Sequence, residues 1–494
     1  DFVRKVTELP DTLSEDIKKA REAGEAASNG TLQVEADGSA ARSAEDMGMT
    51  SEIIGMIVAA IVLIITFASL VAWGLPLLNA IIAVPVAIGG VMIASHFIEL
   101  GTFPTVLTSM IGLAVTIDYA LFIVSRYRHE LRRLGATTKE QRAEAAGIAV
   151  GTAGTAVIFA GLTVIIALAA LAFIGMDFLG QMGVAAAWGV FIAVIVALTL
   201  LPALLGLFGS KVFAGRVKGL HPQDTDQGEG RVANGLRWAN LVKKVPVVTL
   251  VAGVAVLGIL AIPMKDMKTA LPGSGMSEKS TSERQAYDLI SDAWGKGANG
   301  TLVVAVDGAG AQPNQRLGAY KQIVDQLNTN PNIAPLIANA QLAQLAQDNK
   351  AATIMVTPKS GPNDDDTKTL VTKLRTMVNG DAGTKARLGV DLGVAGSTAI
   401  EMDISEKLGD ALWIYLGIVV GLAILLLLVA FRSILVPLTA VLGFLLSVVA
   451  TFGVTSAIFT DGALGLIDNT QPLVSFLPIF LIGIVFGLAM DYQV

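Results

Sequence analysis

Two short stretches of this chain place an Asp-Tyr pair inside long apolar segments. They are IGLAVTIDY, residues 111–119, and IVFGLAMDY, residues 484–492. An aspartate within a hydrocarbon-spanning helix costs about 2.5–3.5 kcal/mol on insertion scales. Because this cost recurs at equivalent positions in two halves of the chain, the pattern predicts a helical membrane protein that needs two buried carboxylates, Asp118 and Asp491.

The composition is that of a membrane protein. Of 494 residues, 53% are hydrophobic and 15% are charged, and the mean hydropathy is +0.64. These values exclude an ordinary soluble enzyme. The chain has no cysteine and three histidines, so disulfides, thiol chemistry and Cys-based metal sites are excluded, and no cofactor or metal is expected.

Long apolar runs predict eight membrane spans and part of a ninth. They are residues 53–72, 77–95, 105–125, 147–172, 182–208, 246–263, 411–431, 434–456 and 472 onward. Lys and Arg concentrate in alternate connections, at 126–145, 209–245 and Arg432, and are absent from 96–104, 173–181 and 457–471. The positive-inside rule therefore predicts that the basic connections are cytoplasmic and that residues 264–410 lie on the opposite, periplasmic side.

Residues 264–410 have the pattern of a soluble α/β domain. The predicted order is strand 301–307, helix 314–327, a weak strand near 332–337, strand 352–358, helix 365–378 and strand 388–395. This β-α-β-β-α-β order is the ferredoxin-like split motif. Glu401, Asp403 and Glu406 follow on a helix, where we interpret them as a solvated face.

Residues 1–40 resemble the back half of a second copy of this domain, with a helix at 12–27 and a strand at 31–36. The repeat extends into the membrane, because Pro76 matches Pro437 and Asp118 matches Asp491. Duplicated halves with polar groups near mid-membrane are a recurrent transporter design. The predicted division is 1–50 (end of a first outer domain), 51–210 (first half of the bundle), 211–245 (cytoplasmic linker), 246–263 (a span starting the second half), 264–410 (second outer domain) and 411–494 (second half, truncated).

The paired aspartates are the candidate functional residues. Burial and mutual repulsion raise the pKa values of nearby carboxylates, so Asp118 and Asp491 are predicted to form a proton relay, with Tyr119 and Tyr492 as hydrogen-bond partners. The alternative is that each aspartate is only a structural hydrogen-bond partner. Thr155 is predicted to support the relay with its hydroxyl, the alternative being a hydroxyl bonded to its own helix.

Other motifs argue against competing functions. The Gly308-Ala309-Gly310 patch lacks the strand-to-helix context and lysine of a phosphate loop. The basic segment 126–145 is interpreted as a determinant of topology rather than a nucleic-acid site. With no ATP-binding signature, the coupling ion is predicted to be the proton, and no enzymatic activity or nucleic-acid partner is expected.

At these motifs the chain resembles the MmpL family of the RND superfamily, and within it the trehalose-lipid exporters of mycobacteria and corynebacteria. The segments 112–126 and 486–494 carry the resemblance, although Ala114 stands where the glycine of the family's Gly-x-x-x-Asp form would be. It implies an RND fold of twelve spans with two periplasmic porter domains, of which this chain would lack the first and last spans. It also implies a multi-pass inner-membrane protein that exports trehalose monomycolate with the proton-motive force, in contact with membrane lipids and envelope accessory proteins.

Three alternatives remain open from the residues. One is an RND exporter of another lipid or of a drug. A second is a secretion-linked RND accessory protein, since those proteins also pair membrane acids with outer α/β domains. The third is an envelope scaffold without transport.

Overall fold

The structure, a computed structural model, describes residues 13–28, 31–38, 49–98, 100, 102–215, 234–380, 388–465, 467 and 470–491. The helices are α1 (Leu13–Ala27), α2 (Met49–Phe67), α3 (Leu70–Ala94), α4 (Thr102–Arg133), α5 (Lys139–Ala169), α6 (Asp177–Phe208), α7 (Asn234–Lys244), α8 (Pro246–Ala261), α9 (Ser282–Trp294), α10 (Arg316–Thr329), α11 (Asp365–Gly380), α12 (Ser397–Phe431), α13 (Leu435–Phe459) and α14 (Leu477–Asp491). The strands are β1 (Thr269–Ala270), β2 (Leu302–Asp307), β3 (Ile337–Leu345), β4 (Ala351–Pro358), β5 (Asp391–Gly396) and β6 (Leu473–Val474).

The chain divides into two compact units. The helical unit contains residues 44–267, 411–466 and 476–494, and the α/β unit contains residues 1–43, 268–410 and 467–475. Residues 467–475, which the sequence pattern assigns to the membrane bundle, belong to the α/β unit because β6 pairs with β1 in a parallel ladder.

Seven of the described helices are long and apolar enough to cross a membrane: α3, α4, α5, α6, α8, α12 and α13. Two shorter apolar stretches, Ile53–Phe67 in α2 and Leu477–Gly487 in α14, match the remaining predicted spans. The predicted helical membrane fold is therefore confirmed.

The first predicted boundary was wrong by five residues, since α2 ends at Phe67 rather than 72. The chain turns at Ala68, whose φ is +48°, and Ser69 caps α3 by accepting the Ala72 N–H. The Ser69 hydroxyl also donates to the carbonyl of Val212, 2.8 Å away. An apolar run conceals this turn, because hydropathy does not register a cap.

Small residues let the central helices of the helical unit approach closely. The Thr108 hydroxyl of α4 donates to the Ala185 carbonyl of α6 at 2.9 Å. One turn further along α6, a side-chain carbon at Gly189 would lie 3.0 Å from the Thr108 carbonyl oxygen. Helices in membranes associate through such small-residue contacts rather than through the hydrophobic effect.

One residue of the basic segment lies inside the protein rather than in water. Arg128, near the end of α4, is 1% exposed, and its Nη1 donates to the Phe67 carbonyl at 3.1 Å. Its guanidinium carbon lies 5.2 Å from the ring centre of Phe67 and 5.1 Å from that of Phe213. Arg128 therefore joins α4, the end of α2 and the segment after α6, a structural role beyond that of a topology signal.

The α/β unit contains the predicted β-α-β-β-α-β order. Its four-stranded antiparallel sheet has the strand order β3-β4-β2-β5, which is the ferredoxin-like arrangement. α10 and α11 cover one face, where Leu302, Val304, Tyr320, Ile354 and Leu370 are fully buried. The other face of the sheet, which includes Met355, is exposed.

Two details of the α/β prediction were wrong. The weak strand near 332–337 lies instead at Ile337–Leu345, an edge strand with two register shifts and mostly exposed residues. The predicted strand at 31–36 is not a strand. There the Ala36 N–H donates to the Ser282 hydroxyl oxygen, and the Glu35 carboxylate accepts from Arg21 and Ser282. The hydrogen bonds of this segment therefore go to side chains of α1 and of the start of α9.

Replacing Ile354 with alanine should lower the free energy of opening of the sheet by about 2–5 kcal/mol, because its side chain is buried under α10 and α11. The matched control is Met355→Ala on the next residue, which is 40% exposed and should cost less than about 1 kcal/mol. Hydrogen exchange of the β2 and β4 amides measures both. Equal losses would show that the helices do not cover the Ile354 face.

Candidate functional site

Asp118 lies in the middle of α4, about 23 Å from either end of the helix. The residue is half-buried, whereas the adjacent Tyr119 is 1% exposed and belongs to the core of the helical unit with Ile123 and Leu168. A short carboxylate at this depth cannot reach water at the end of the span. Its charge must therefore be met by protein groups, by water within the bundle or by a proton.

Asp491 is the last residue of α14. Its side chain and the whole of Tyr492 lie outside the described residues. The pairing of the two Asp-Tyr motifs, and the direct packing of their two spans, therefore stay predictions.

Helix α5 adjoins α4 at the level of the first motif and α14 one turn before the second. A side-chain carbon at Gly161 of α5 would lie 3.7 Å from Cε2 of Tyr119. One turn further along α5, Val164 fills the space beside Gly487 of α14, and Gly487 is one turn before Asp491. In the described residues α14 packs mainly on α5. Helix α5 is thus the common neighbour of the two helices that carry the motifs.

The packing explains why glycine is required in one motif and not in the other. At Gly487 any side-chain carbon would collide with Val164, so only glycine lets α14 approach α5 this closely. The matching residue of the first motif, Ala114, is exposed on α4. Because no helix of the described chain covers Ala114, the glycine of the family pattern is not needed there.

Thr155 lies on an exposed part of α5. It is exposed, and its hydroxyl donates to the Thr152 carbonyl of its own helix at 2.6 Å. It also lies six residues, about 9 Å along α5, from Gly161, the residue that adjoins Tyr119. This hydrogen bond is the one that the alternative interpretation expects, and a role of Thr155 beside the relay stays a prediction.

Sequence reasoning missed a tyrosine at the junction of three helices. Tyr415 of α12 is fully buried, and its hydroxyl donates to the Ala167 carbonyl near the end of α5 at 3.0 Å. A side-chain carbon at Gly483 of α14 would lie 2.5 Å from this hydroxyl oxygen. Gly483-x-x-x-Gly487 is a small-residue pattern that indicates close helix packing and could have located the contact.

The fold and this arrangement define a class: a polytopic helical membrane protein with a ferredoxin-like α/β unit and an Asp-Tyr motif inside a span. The family model described as "MMPL family" matches residues 9–249 and 275–494. The chain belongs to the MMPL family.

Similar proteins come from several bacteria. The membrane protein YdfJ of Bacillus subtilis is 38% identical over 97% of this chain and 63% of its own length. The mycolic acid-containing lipids exporter MmpL11 of Mycolicibacterium smegmatis is 31% identical over 88% of this chain and 44% of its own length. The trehalose monomycolate exporter MmpL3 of Mycobacterium tuberculosis is 26% identical over 90% of this chain and 49% of its own length.

The comparisons support the family but not the predicted subgroup. The chain is 38% identical to YdfJ and 26% identical to MmpL3. These identities do not confirm the expected resemblance to trehalose monomycolate exporters in particular. The chain also spans about half to two thirds of the length of these relatives.

Replacing Gly487 with alanine should destabilise the helical unit by about 1–3 kcal/mol, because the added methyl group meets the stiff side chain of Val164. The double variant Gly487→Ala/Val164→Ala restores room and should recover part of the loss. Thermal unfolding in detergent gives the comparison.

The control is Gly421→Ala on α12, where no atom lies within 4 Å of the added carbon. Since alanine favours helix over glycine by about 1 kcal/mol, this control should lose no stability. A Gly487→Ala protein as stable as the control, or a double variant with no recovery, would rule out the close packing of α14 on α5.

Proposed function

We propose that this chain is part of a transporter that uses the proton gradient to export a lipid from the inner membrane. The observation that carries the proposal is the Asp118-Tyr119 motif in the middle of α4. The sequence repeats this motif as Asp491-Tyr492, at the end of α14, the helix that packs on α5. Membership of the MMPL family and the absence of an ATP-binding motif from the sequence support the same view.

The proposed mechanism follows from the cost of a charge in an apolar helix. A protonated Asp118 is neutral and tolerates the apolar surroundings, whereas an ionised Asp118 requires water or a rearrangement of its neighbours. Each proton that crosses 100 mV supplies about 2.3 kcal/mol. Because α5 contacts α4 and α14, a change in how either motif packs would be transmitted through α5.

The lipid substrate is proposed from the relatives and from the predicted topology. MmpL11 and MmpL3 are named as exporters of mycolic acid-containing lipids and of trehalose monomycolate, and trehalose monomycolate is the specific substrate that we propose. The basic connections place the α/β unit on the periplasmic side in this proposal. The transporter would use protons as the coupling ion, require no cofactor and catalyse no reaction on the lipid.

Replacing Asp118 with asparagine should abolish export while the protein still folds and inserts, because asparagine keeps the shape of the neutral acid but cannot exchange a proton. Asp491→Asn should behave in the same way, and Tyr119→Phe should reduce export less, since a water can replace one hydroxyl. The measurement is lipid export by cells at matched protein level. The control is Asp177→Asn, an exposed carboxylate at the start of α6. Normal export by the variant in which both Asp118 and Asp491 are replaced would show that the aspartates have a structural role and do not carry the proton.

Depletion of the protein should cause trehalose monomycolate to accumulate in the inner membrane, which lipid analysis of cell fractions can detect. Accumulation of a different lipid would retain lipid export and change the substrate. Retention of secreted protein precursors with a normal lipid profile would instead favour a secretion-linked role.

A further inference from the structure

A buried carboxylate lies in the α/β unit, in the first turns of α12. Glu401 is 6% exposed, although its sequence context indicated a solvated helix face. The stretch 397–410 belongs to the α/β unit and carries five ionisable residues, so it lies outside the apolar part of α12. Glu401 is therefore buried by protein, and the proposed relay does not use it.

Glu401 adjoins a small strand ladder. Its carboxylate accepts a hydrogen bond from the Leu271 N–H at 3.1 Å, directly after β1. Hydrogen bonds flank the ladder on both sides: the Leu473 N–H donates to the Lys268 carbonyl at 2.8 Å, and the Ser475 N–H donates to the Ala270 carbonyl at 2.9 Å.

A second contact joins α12 to the other strand of the ladder. One turn after Glu401, the Ser405 and Ser475 hydroxyl oxygens lie 3.4 Å apart. Two consecutive turns of α12 therefore contact the residues that directly follow the two strands, Glu401 at Leu271 after β1 and Ser405 at Ser475 after β6.

Among the described residues, the Glu401 carboxylate forms no ion pair, because the nearby charged side chains are distant or pair with one another. Lys368 of α11 attracts it from a distance. Lys268 beside β1 pairs with Asp365 at 3.7 Å, and Asp403 of α12 pairs with Arg375 of α11 at 2.7 Å. Residues 471–475, which contain β6, carry no ionisable side chain. Burial raises the pKa of Glu401, and the Leu271 N–H and Lys368 only partly offset this effect.

We propose that Glu401 is a proton-binding site, separate from the two membrane aspartates, whose protonated form holds β1 and β6 together. A buried carboxylate binds a proton more tightly than one in water, and a proton stabilises the state that binds it more tightly. Glu401 is buried in the closed ladder, and in this proposal it meets water when the ladder opens. Acid therefore favours the closed ladder, and ionisation of Glu401 favours the open one.

The ladder is weak enough for one proton to matter. It pairs two residues of each strand, and each of its hydrogen bonds is worth about 1 kcal/mol net. A difference of one unit between the pKa of Glu401 in the closed ladder and in the open ladder changes the equilibrium tenfold. β6 ends at Val474 and α14 begins at Leu477, so the ladder directly precedes the Asp491 helix in the chain. This inference does not depend on the proposed lipid export.

The test is hydrogen exchange of the Leu473 and Ser475 amides in the whole protein, corrected for the intrinsic effect of pH. Protection should fall as the pH rises from about 5 to about 8, by up to tenfold per unit over the range in which Glu401 loses its proton. Glu401→Gln keeps a neutral group of the same shape. It should retain the high protection found in acid, with no dependence on pH.

The matched control is Glu406→Gln, the same change at an exposed position of the same helix, which should keep the wild-type pH dependence. Unchanged protection of β2 and β4 shows that each variant is folded. The proposal fails if wild-type protection does not vary with pH, or if Glu401→Gln varies as the wild type does.

Discussion

A carboxylate in the middle of an apolar helix is the constraint on which the rest of the helical unit depends. Asp118 cannot reach the end of α4, so its charge has to be managed inside the bundle. The neighbouring Tyr119 is buried in the core, and α5 adjoins it through Gly161. The same face of α5, one turn on, receives α14 at Gly487. Close packing at glycine thus brings the two helices that carry the Asp-Tyr motifs onto one common helix.

Tyr415 and Gly483 extend this arrangement to a third helix. The tyrosine hydroxyl reaches a carbonyl near the end of α5 because Gly483 has no side chain to obstruct it. A buried hydroxyl without a partner would be costly, so the hydrogen bond to Ala167 also favours one relative position of α12 and α5. Glycines that appear unremarkable in an apolar sequence are therefore the residues that define how these helices meet.

Helices and strands could be predicted from the sequence where one hydrophobic pattern dominates a segment. Apolar runs located the spans, and alternation located β2 and β4. Prediction failed where tertiary contacts decide. β3 is an edge strand in which alanine, asparagine and glutamine make up six of nine residues, so it has no strong strand signal. The segment 31–36 forms hydrogen bonds with side chains of α1 and α9 instead of pairing in a sheet. The cap at Ser69 lies within an apolar run, where hydropathy does not reveal it.

For the candidate site, the repeat identified Asp118 and Asp491 because two matching carboxylates in apolar helices are rare. It could not show that Thr155 bonds to its own helix, or that Glu401 is buried, since both depend on which helix face is covered.

Infrared difference spectroscopy of the membrane-embedded protein tests the central claim most directly, because a buried protonated carboxyl group absorbs apart from an ionised one. A pH step should produce a carboxyl signal of which one part shrinks in Asp118→Asn and in Asp491→Asn and is absent from the double variant, whereas the part that comes from Glu401 remains. A wild-type band that is unchanged in all three variants, or no band at all, would contradict the claim that these aspartates exchange the proton.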